Sequence, residues 1–233
     1  MGTLYVVGTP IGNLEDISPR ALAVLGAVSL VASENPQRTQ RLLARYEIQV
    51  PMMRYTDAYE RKKQSRLEAV LAALHAGDVA LVTEAGMPGL ADPGYELLAA
   101  ALERGVPVVP VPGPTALAAA LSVAGVPAER FLFLGFLPRR RAARRALLAE
   151  ASARPLALVA YEAPHRLVET LADLETVVGE RVVVAASELT KLYEEVLRGT
   201  PARLLEHFRA RRPRGEYTLV VSPPGPEESE DPG

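Results

Sequence analysis

The first half of this chain alternates short apolar runs with helical patterns, and that alternation constrains the fold more than any other feature. The runs LYVVG (4–8), VSLVAS (28–33), PMMRY (51–55), VALVT (79–83) and VPVVPV (106–111) read as strands. In SPRALAVLGAV, Ser18 can cap and Pro19 can start a helix with Leu22, Leu25 and Val28 on one face. In RLEAVLAALHAGD, Leu67, Val70, Leu71 and Leu74 recur at i, i+3, i+4 and i+7, and Gly77 suits the position past the helix end. YELLAAALERG is a further helical stretch. Strands that are apolar almost throughout need both faces covered, so this βαβ series predicts a mostly parallel sheet between helices. Pro107 and Pro110 cannot donate to a ladder on both sides, which confines the last of these strands to an edge.

The second half reads differently. Strands are expected at 131–137, 155–161, 181–187, 194–198 and 216–222, and helices at 115–124, 142–152, 166–177 and 201–210. Short links such as KLYEEVLRGT favour antiparallel pairs, so the second sheet is mixed. The stiff stretch VPVPGPTA (111–116) separates the halves. The expected domains are 1–114 and 115–223, followed by a disordered, Pro-rich and acidic tail at 224–233.

Several classes of chemistry drop out on composition. There is no cysteine, so disulfides and thiolate chemistry are absent. His75, His165 and His207 are far apart in sequence and form no metal-binding motif, so no metal is expected. No basic leader or apolar stretch of membrane-spanning length is present, and a soluble cytoplasmic protein is expected. A net charge of −2 gives no global pull toward nucleic acid.

Three loops follow strands in the first half: TPIGN (9–13), TEAGMPGLADPG (83–94) and PGP (112–114). In an open parallel sheet such loops gather at the carboxyl ends of the strands, where ligands bind. Gly12, Gly86, Gly89 and Gly113 allow backbone to approach a ligand closely, although a single Gly/Pro loop is also an ordinary turn. In the second half, YEAPHR (161–166) places Glu162, His165 and Arg166 at a strand–helix junction, and SELTKLYEE (187–195) places Glu188, Thr190 and Lys191 at another strand end. Each junction alone is equally a capped turn with a surface ion pair; two together suggest a site. In PRRRAARRALL (138–148), Arg141, Arg144 and Arg145 share a helix face that could grip phosphates or simply be solvated. RARRPRG (209–215) is a second basic cluster.

Taken together, YVVGTPIGNLEDIS, AGMPGLADPGYELL, PGPTALAAALSVAGVP, FLFLGFLPRR, YEAPHRLVETLADL, ELTKLYEEVLRGT and GEYTLVV resemble, in order and spacing, the ribosomal RNA 2′-O-ribose methyltransferases of the tetrapyrrole methylase superfamily. The resemblance implies two α/β domains of the class III S-adenosylmethionine (SAM) methyltransferase type, with a first sheet ordered 3-2-4-1-5. It implies SAM in a cleft between the domains, a homodimer, and a substrate cytidine in 16S rRNA of the small ribosomal subunit. By motif position, Pro10, Gly12, Glu84, Ala85, Gly86, Met87, Pro88, Pro112, Gly113, Pro114 and Thr115 would line the cofactor side. Glu162, His165 and Glu188 are the candidate bases, and Arg166 and Lys191 would assist the hydroxyl or hold phosphate. Asn13, Arg38, Arg139, Arg140, Arg141, Arg144 and Arg145 are the candidate RNA contacts.

The chain departs from the family's pattern in two places. SENPQRT (33–39) stands where the family usually reads A-E-D-T-R, and TEAGMP (83–88) where it reads S-D-A-G-T-P. Two further readings therefore stand beside the first: a corrin-ring C-methyltransferase on the same fold, and an RNA- or ribosome-binding relative weakened in catalysis.

Overall fold

In the computed structural model, which describes residues 1–56 and 60–225, the chain divides into two units, Met1–Thr115 and Ala116–Gly233. The expected tail lies outside the described residues from position 226 onward.

Unit 1 carries strands β1 (Leu4–Val7), β2 (Leu30–Ser33), β3 (Met52–Arg54), β4 (Val79–Val82) and β5 (Val108–Val111). Its helices are α1 (Pro19–Ala27), α2 (Pro36–Arg45), α3 (Glu60–Ala76) and α4 (Tyr95–Glu103). All strand pairs are parallel and the order is β3-β2-β4-β1-β5, as expected, with the proline-bearing β5 at an edge. Side-chain alternation sorts the core onto two faces. Leu4, Ala32, Val79 and Leu81 pack with α3 and α4, while Val7, Val31, Ala80 and Val82 pack with α1 and α2.

Two of these helices begin the same way. Ser18 caps α1 by accepting from the Ala21 N–H at 3.1 Å, and Asn35 caps α2 by accepting from the Arg38 N–H at 3.3 Å. Each cap is followed by proline, whose missing N–H costs nothing in the first turn. Helix α2 has no counterpart among the sequence expectations, although Asn35-Pro36 is its start signal.

Unit 2 carries α5 (Ala116–Ala124), β6 (Phe131–Phe136), α6 (Arg141–Ser152), β7 (Ala157–Glu162), α7 (Leu167–Val178), β8 (Val183–Ser187), β9 (Glu195–Gly199), α8 (Pro201–Ala210) and β10 (Tyr217–Val221). The order is β6-β7-β10-β8-β9; β6 and β7 are parallel, the remaining pairs antiparallel, so the sheet is mixed as expected. Leu158, Ala160, Val183, Ala185, Leu219 and Val221 face α6, α7 and α8, and Val159, Val184, Ala186 and Val220 face α5. β10 pairs Tyr217 with both Glu162 and Ser187. The carboxyl ends of β6, β7 and β8 therefore lie at one end of the sheet, beside the start of β10. In β6 the ladder shifts register between Phe133 and Phe136, and Gly135 takes φ +61°.

Candidate active site

In unit 1 the three Gly/Pro loops converge on the carboxyl ends of β1, β4 and β5. Thr9 and Gly86 exchange both backbone hydrogen bonds, at 2.9 and 3.0 Å, which joins the loop after β1 to the loop after β4. A Cβ on Gly8 would fall 2.7 Å from the Gly113 backbone and 2.6 Å from the Met87 sulfur. Only glycine fits there, so the loop after β5 touches the other two at Gly8. Gly86 holds φ +82° with the Pro114 carbonyl nearby, a conformation that a side chain would strain. Pro10, Gly86 and Pro88 are buried; Ala85, Met87, Gly113, Pro114 and Thr115 are half-buried; Gly12 and Pro112 are exposed. Two residues that sequence reasoning passed over belong here. One is Gly8, whose role is visible only as a steric contact. The other is Thr83, whose hydroxyl is buried at the end of β4 and makes no hydrogen bond. A buried hydroxyl without a partner is costly unless a ligand satisfies it.

Glu84 sits beside this cluster at the centre of a polar group. Its carboxylate accepts from the Asn35 amide at 2.8 Å and the Arg38 guanidinium at 2.7 Å, and its own N–H donates to Glu34 at 3.0 Å. Burial pushes the Glu34 carboxyl above its usual range; the Glu84 N–H opposes this and the Glu84 charge adds to it. The departures at 33–39 and 83–88 thus form one interlocked set. The Asn35 amide donates to Glu84, which an aspartate could not do, and Arg38 supplies the neighbouring cation. Arg38 is therefore committed to Glu84. Asn13 caps the short turn Leu14–Asp16 by accepting from the Glu15 N–H at 3.1 Å.

In unit 2 the YEAPHR junction is more heavily fastened than expected. Glu162 is fully buried. One carboxylate oxygen accepts from the Ala163 N–H at 2.8 Å and pairs with Arg166 at 3.3 Å; the other accepts from the Thr170 hydroxyl at 2.6 Å. Arg166 also donates to the carbonyls of Leu137 and Pro138, at 2.8 and 2.9 Å. This corrects the expectation that Glu162 is a base and Arg166 a phosphate or hydroxyl contact. Both groups are occupied in clamping the end of β6 to the start of α7, and they position the exposed His165 between them in sequence.

At the next strand end, Glu188 and Lys191 form an ion pair at 2.8 Å. Glu188 and Thr190 hold φ +50° and +67°, and the Thr190 N–H donates to the Glu194 carboxylate at 2.6 Å. Backbone in this region costs ~1–3 kcal/mol per residue and persists where the surroundings enforce it.

The arginine face on α6 also needs correction. Arg144, Leu148 and Ala151 share the inward stripe at i, i+4, i+7, so Arg144 is buried. It pairs with the fully buried Asp173 at 2.7 Å, and Arg141 reaches the same carboxylate at 2.9 Å. Arg144 therefore braces α6 against α7 and is unavailable to phosphate. Arg139 and Arg140 are exposed and Arg145 is half-buried.

Among the described residues, no group of three or more His, Cys, Asp or Glu side chains is arranged to hold a metal ion, and no helix is long and apolar enough to cross a membrane. The profile of the Tetrapyrrole (Corrin/Porphyrin) Methylases matches residues 3–205. The chain is 43% identical to the ribosomal RNA small subunit methyltransferase I of Thermotoga maritima, over 95% of this chain and 99% of that one. It is 44% identical to the protein of that name from Synechocystis, over 98% of this chain and 81% of that one. Among solved structures, a cobalt precorrin-4 methyltransferase superposes with a TM-score of 0.71 at 16% identity, each chain covered to 94%. A uroporphyrin-III C-methyltransferase from Thermus thermophilus, complexed with S-adenosyl homocysteine, superposes with 0.66 at 20% identity, over 95% of this chain and 97% of that one.

Proposed function

This chain belongs to the tetrapyrrole methylase family, among the small-subunit ribosomal RNA methyltransferases I, and on that premise we propose that it methylates the ribose 2′-hydroxyl of a cytidine in 16S rRNA, using SAM. The observation that carries the reading is the convergence of the loops after β1, β4 and β5. They meet mainly through glycine and backbone, with the Met87 sulfur, and the loop after β4 begins at Thr83, whose buried hydroxyl has no hydrogen-bond partner. Pro10, Gly12, Glu84–Pro88 and Pro112–Thr115 would hold the cofactor there, with Thr83 as a further polar contact. The corrin-ring alternative rests on fold likeness at 16–20% identity, against 43–44% for the rRNA enzymes.

When bound, SAM supplies a methyl group made electrophilic by its sulfonium. The chain's own residues then have two tasks: to hold the hydroxyl in line and to take its proton. Orientation alone can contribute ~7–11 kcal/mol to such a reaction. Rigid, glycine-lined loops suit that task because they hold their shape without mobile side chains. For the proton, His165 is exposed and makes no hydrogen bond to another described residue, so its imidazole can accept. The Glu188–Lys191 pair is the second candidate, with Lys191 placed to stabilise the developing alkoxide. The enzyme acts in the cytoplasm as a homodimer in this reading.

The test uses small subunits from a strain lacking the corresponding gene, incubated with the protein and methyl-labelled SAM. Digestion to nucleosides should release labelled 2′-O-methylcytidine. Label on another nucleoside, or none on either subunits or naked rRNA, overturns the reading.

A further inference from the structure

The end of the second sheet that carries His165 also carries exposed aromatic rings and unpaired arginines. Phe136, the last residue of β6, is 47% exposed. Leu192 and Tyr193, in the loop between β8 and β9, are 87% and 79% exposed. Leu192 and Tyr193 project from a loop tied by local contacts. Glu188 and Thr190 are in the left-handed region, the Glu188–Lys191 ion pair closes the loop, and the Glu194 carboxylate accepts from the Thr190 N–H. Phe136 is braced by Tyr161, with ring centres 5.5 Å apart.

Charge at this end is not balanced. Arg139 and Arg140 follow β6; Arg212 and Arg214 precede β10, where Gly215 lies against the Glu188 carboxylate. All four are exposed and none makes an ion pair with another described residue. Of the nearby acids, Glu162, Glu188 and Glu195 are paired with Arg166, Lys191 and Arg211, while Glu194 and Glu216 make no ion pair with a described residue, so the four arginines outnumber the unpaired acids by two. A chain of net charge −2 thus has a local cationic rim around two apolar rings.

We propose that this sheet end is a single-stranded RNA platform, in which Tyr193 and Phe136 stack on unpaired bases and the four arginines hold the adjoining phosphates. Exposed flat rings on a loop tied by local contacts, with an excess of cations beside them, are what unpaired bases and their backbone require. A self-association surface would not need free cations. The proposal deepens the methylation reading and rests on it for the identity of the RNA.

Binding of a fluorescein-labelled single-stranded 15-mer oligoribonucleotide, measured by anisotropy across a salt series, tests it with the full chain. Tyr193→Ala and Phe136→Ala should each weaken binding about tenfold, and Tyr193→Phe should bind like the parent. The double variant Arg212→Ala/Arg214→Ala should lower the slope of log Kd against log salt by about one to two. Equal loss in Tyr193→Ala and Tyr193→Phe overturns stacking. Unchanged affinity in both alanine variants overturns the platform, even where the parent labels small subunits normally. A parent that labels no RNA but binds the oligonucleotide through Tyr193 sinks the methylation reading and leaves the platform standing. If sedimentation shows that Tyr193→Ala dissociates a dimer while RNA affinity holds, the patch is a contact between copies and the proposal fails.

Discussion

The two units build their candidate sites from opposite materials. Unit 1 uses main chain: a paired bridge between Thr9 and Gly86, a glycine contact between Gly8 and Gly113, and prolines that set loop shape. Unit 2 uses charged side chains, several buried: Glu162 with Arg166 and Thr170, Asp173 with Arg144 and Arg141. A main-chain site tolerates side-chain drift, and Glu84 and Met87 stand in it beside Asn35 without disturbing the bridge. A site braced by buried charge tolerates little, because removing one partner strands the other.

The largest expected effect follows from that asymmetry. Asp173→Ala leaves the buried Arg144 with only the exposed Glu169, 3.6 Å away, and should cost about 3–5 kcal/mol, read by urea unfolding. A loss below about 1 kcal/mol would mean that the buried charges of unit 2 are not its braces. Next comes His165→Ala. It should cut turnover on small subunits roughly 100-fold or more, while shifting unfolding by less than about 0.5 kcal/mol, since the side chain is exposed. Turnover within twofold of the parent would pass the proton to the Glu188–Lys191 pair. Gly8→Ala probes the main-chain side. Overpacking against Gly113 should destabilise by about 1–3 kcal/mol and weaken SAM binding at least tenfold by calorimetry. Normal SAM affinity there would break the contrast between the units.

The smallest effect is a pH dependence in unit 1. The Glu34 carboxyl is raised above its ordinary 4.5, chiefly by burial. The native state then holds this proton more tightly than the unfolded chain does. Its contribution is fully present below pH 4.5 and is lost as pH rises through the folded value. Glu34→Gln should remove that slope, so the variant gains on the parent between pH 4.5 and neutrality in thermal scans. Parallel profiles for the two would show that Glu34 is not desolvated as described.

The same contrast explains what was legible from residues alone. Apolar runs marked the ten strands among the described residues, and Pro107 and Pro110 marked the edge, because ladder chemistry is written in residue type. The three loops of unit 1 were legible because glycine and proline announce backbone geometry. Helix α2 was passed over because 33–39 invites comparison with a motif, while Asn35-Pro36 simply starts a helix. Spacing put Arg141 and Arg144 on one helix face but could not say which way that face turns; Leu148 and Ala151 turn Arg144 inward. Glu162 looked like a base because its partners, Thr170 and the carbonyl-bound Arg166, meet it only in three dimensions.

The register shift in β6 has a consequence for how this protein behaves at high concentration. FLFLGF is an apolar, aromatic strand at a sheet edge, the kind of segment that recruits other chains into fibrils. At the opposite extreme, β5 is guarded by Pro107 and Pro110, which withhold amide donors. β6 has no proline. Its protection is the kink at Gly135, which interrupts the straight row of amides that an incoming strand would have to zip along. One glycine in the left-handed region thus stands between an edge built for recognition and one prone to polymerise.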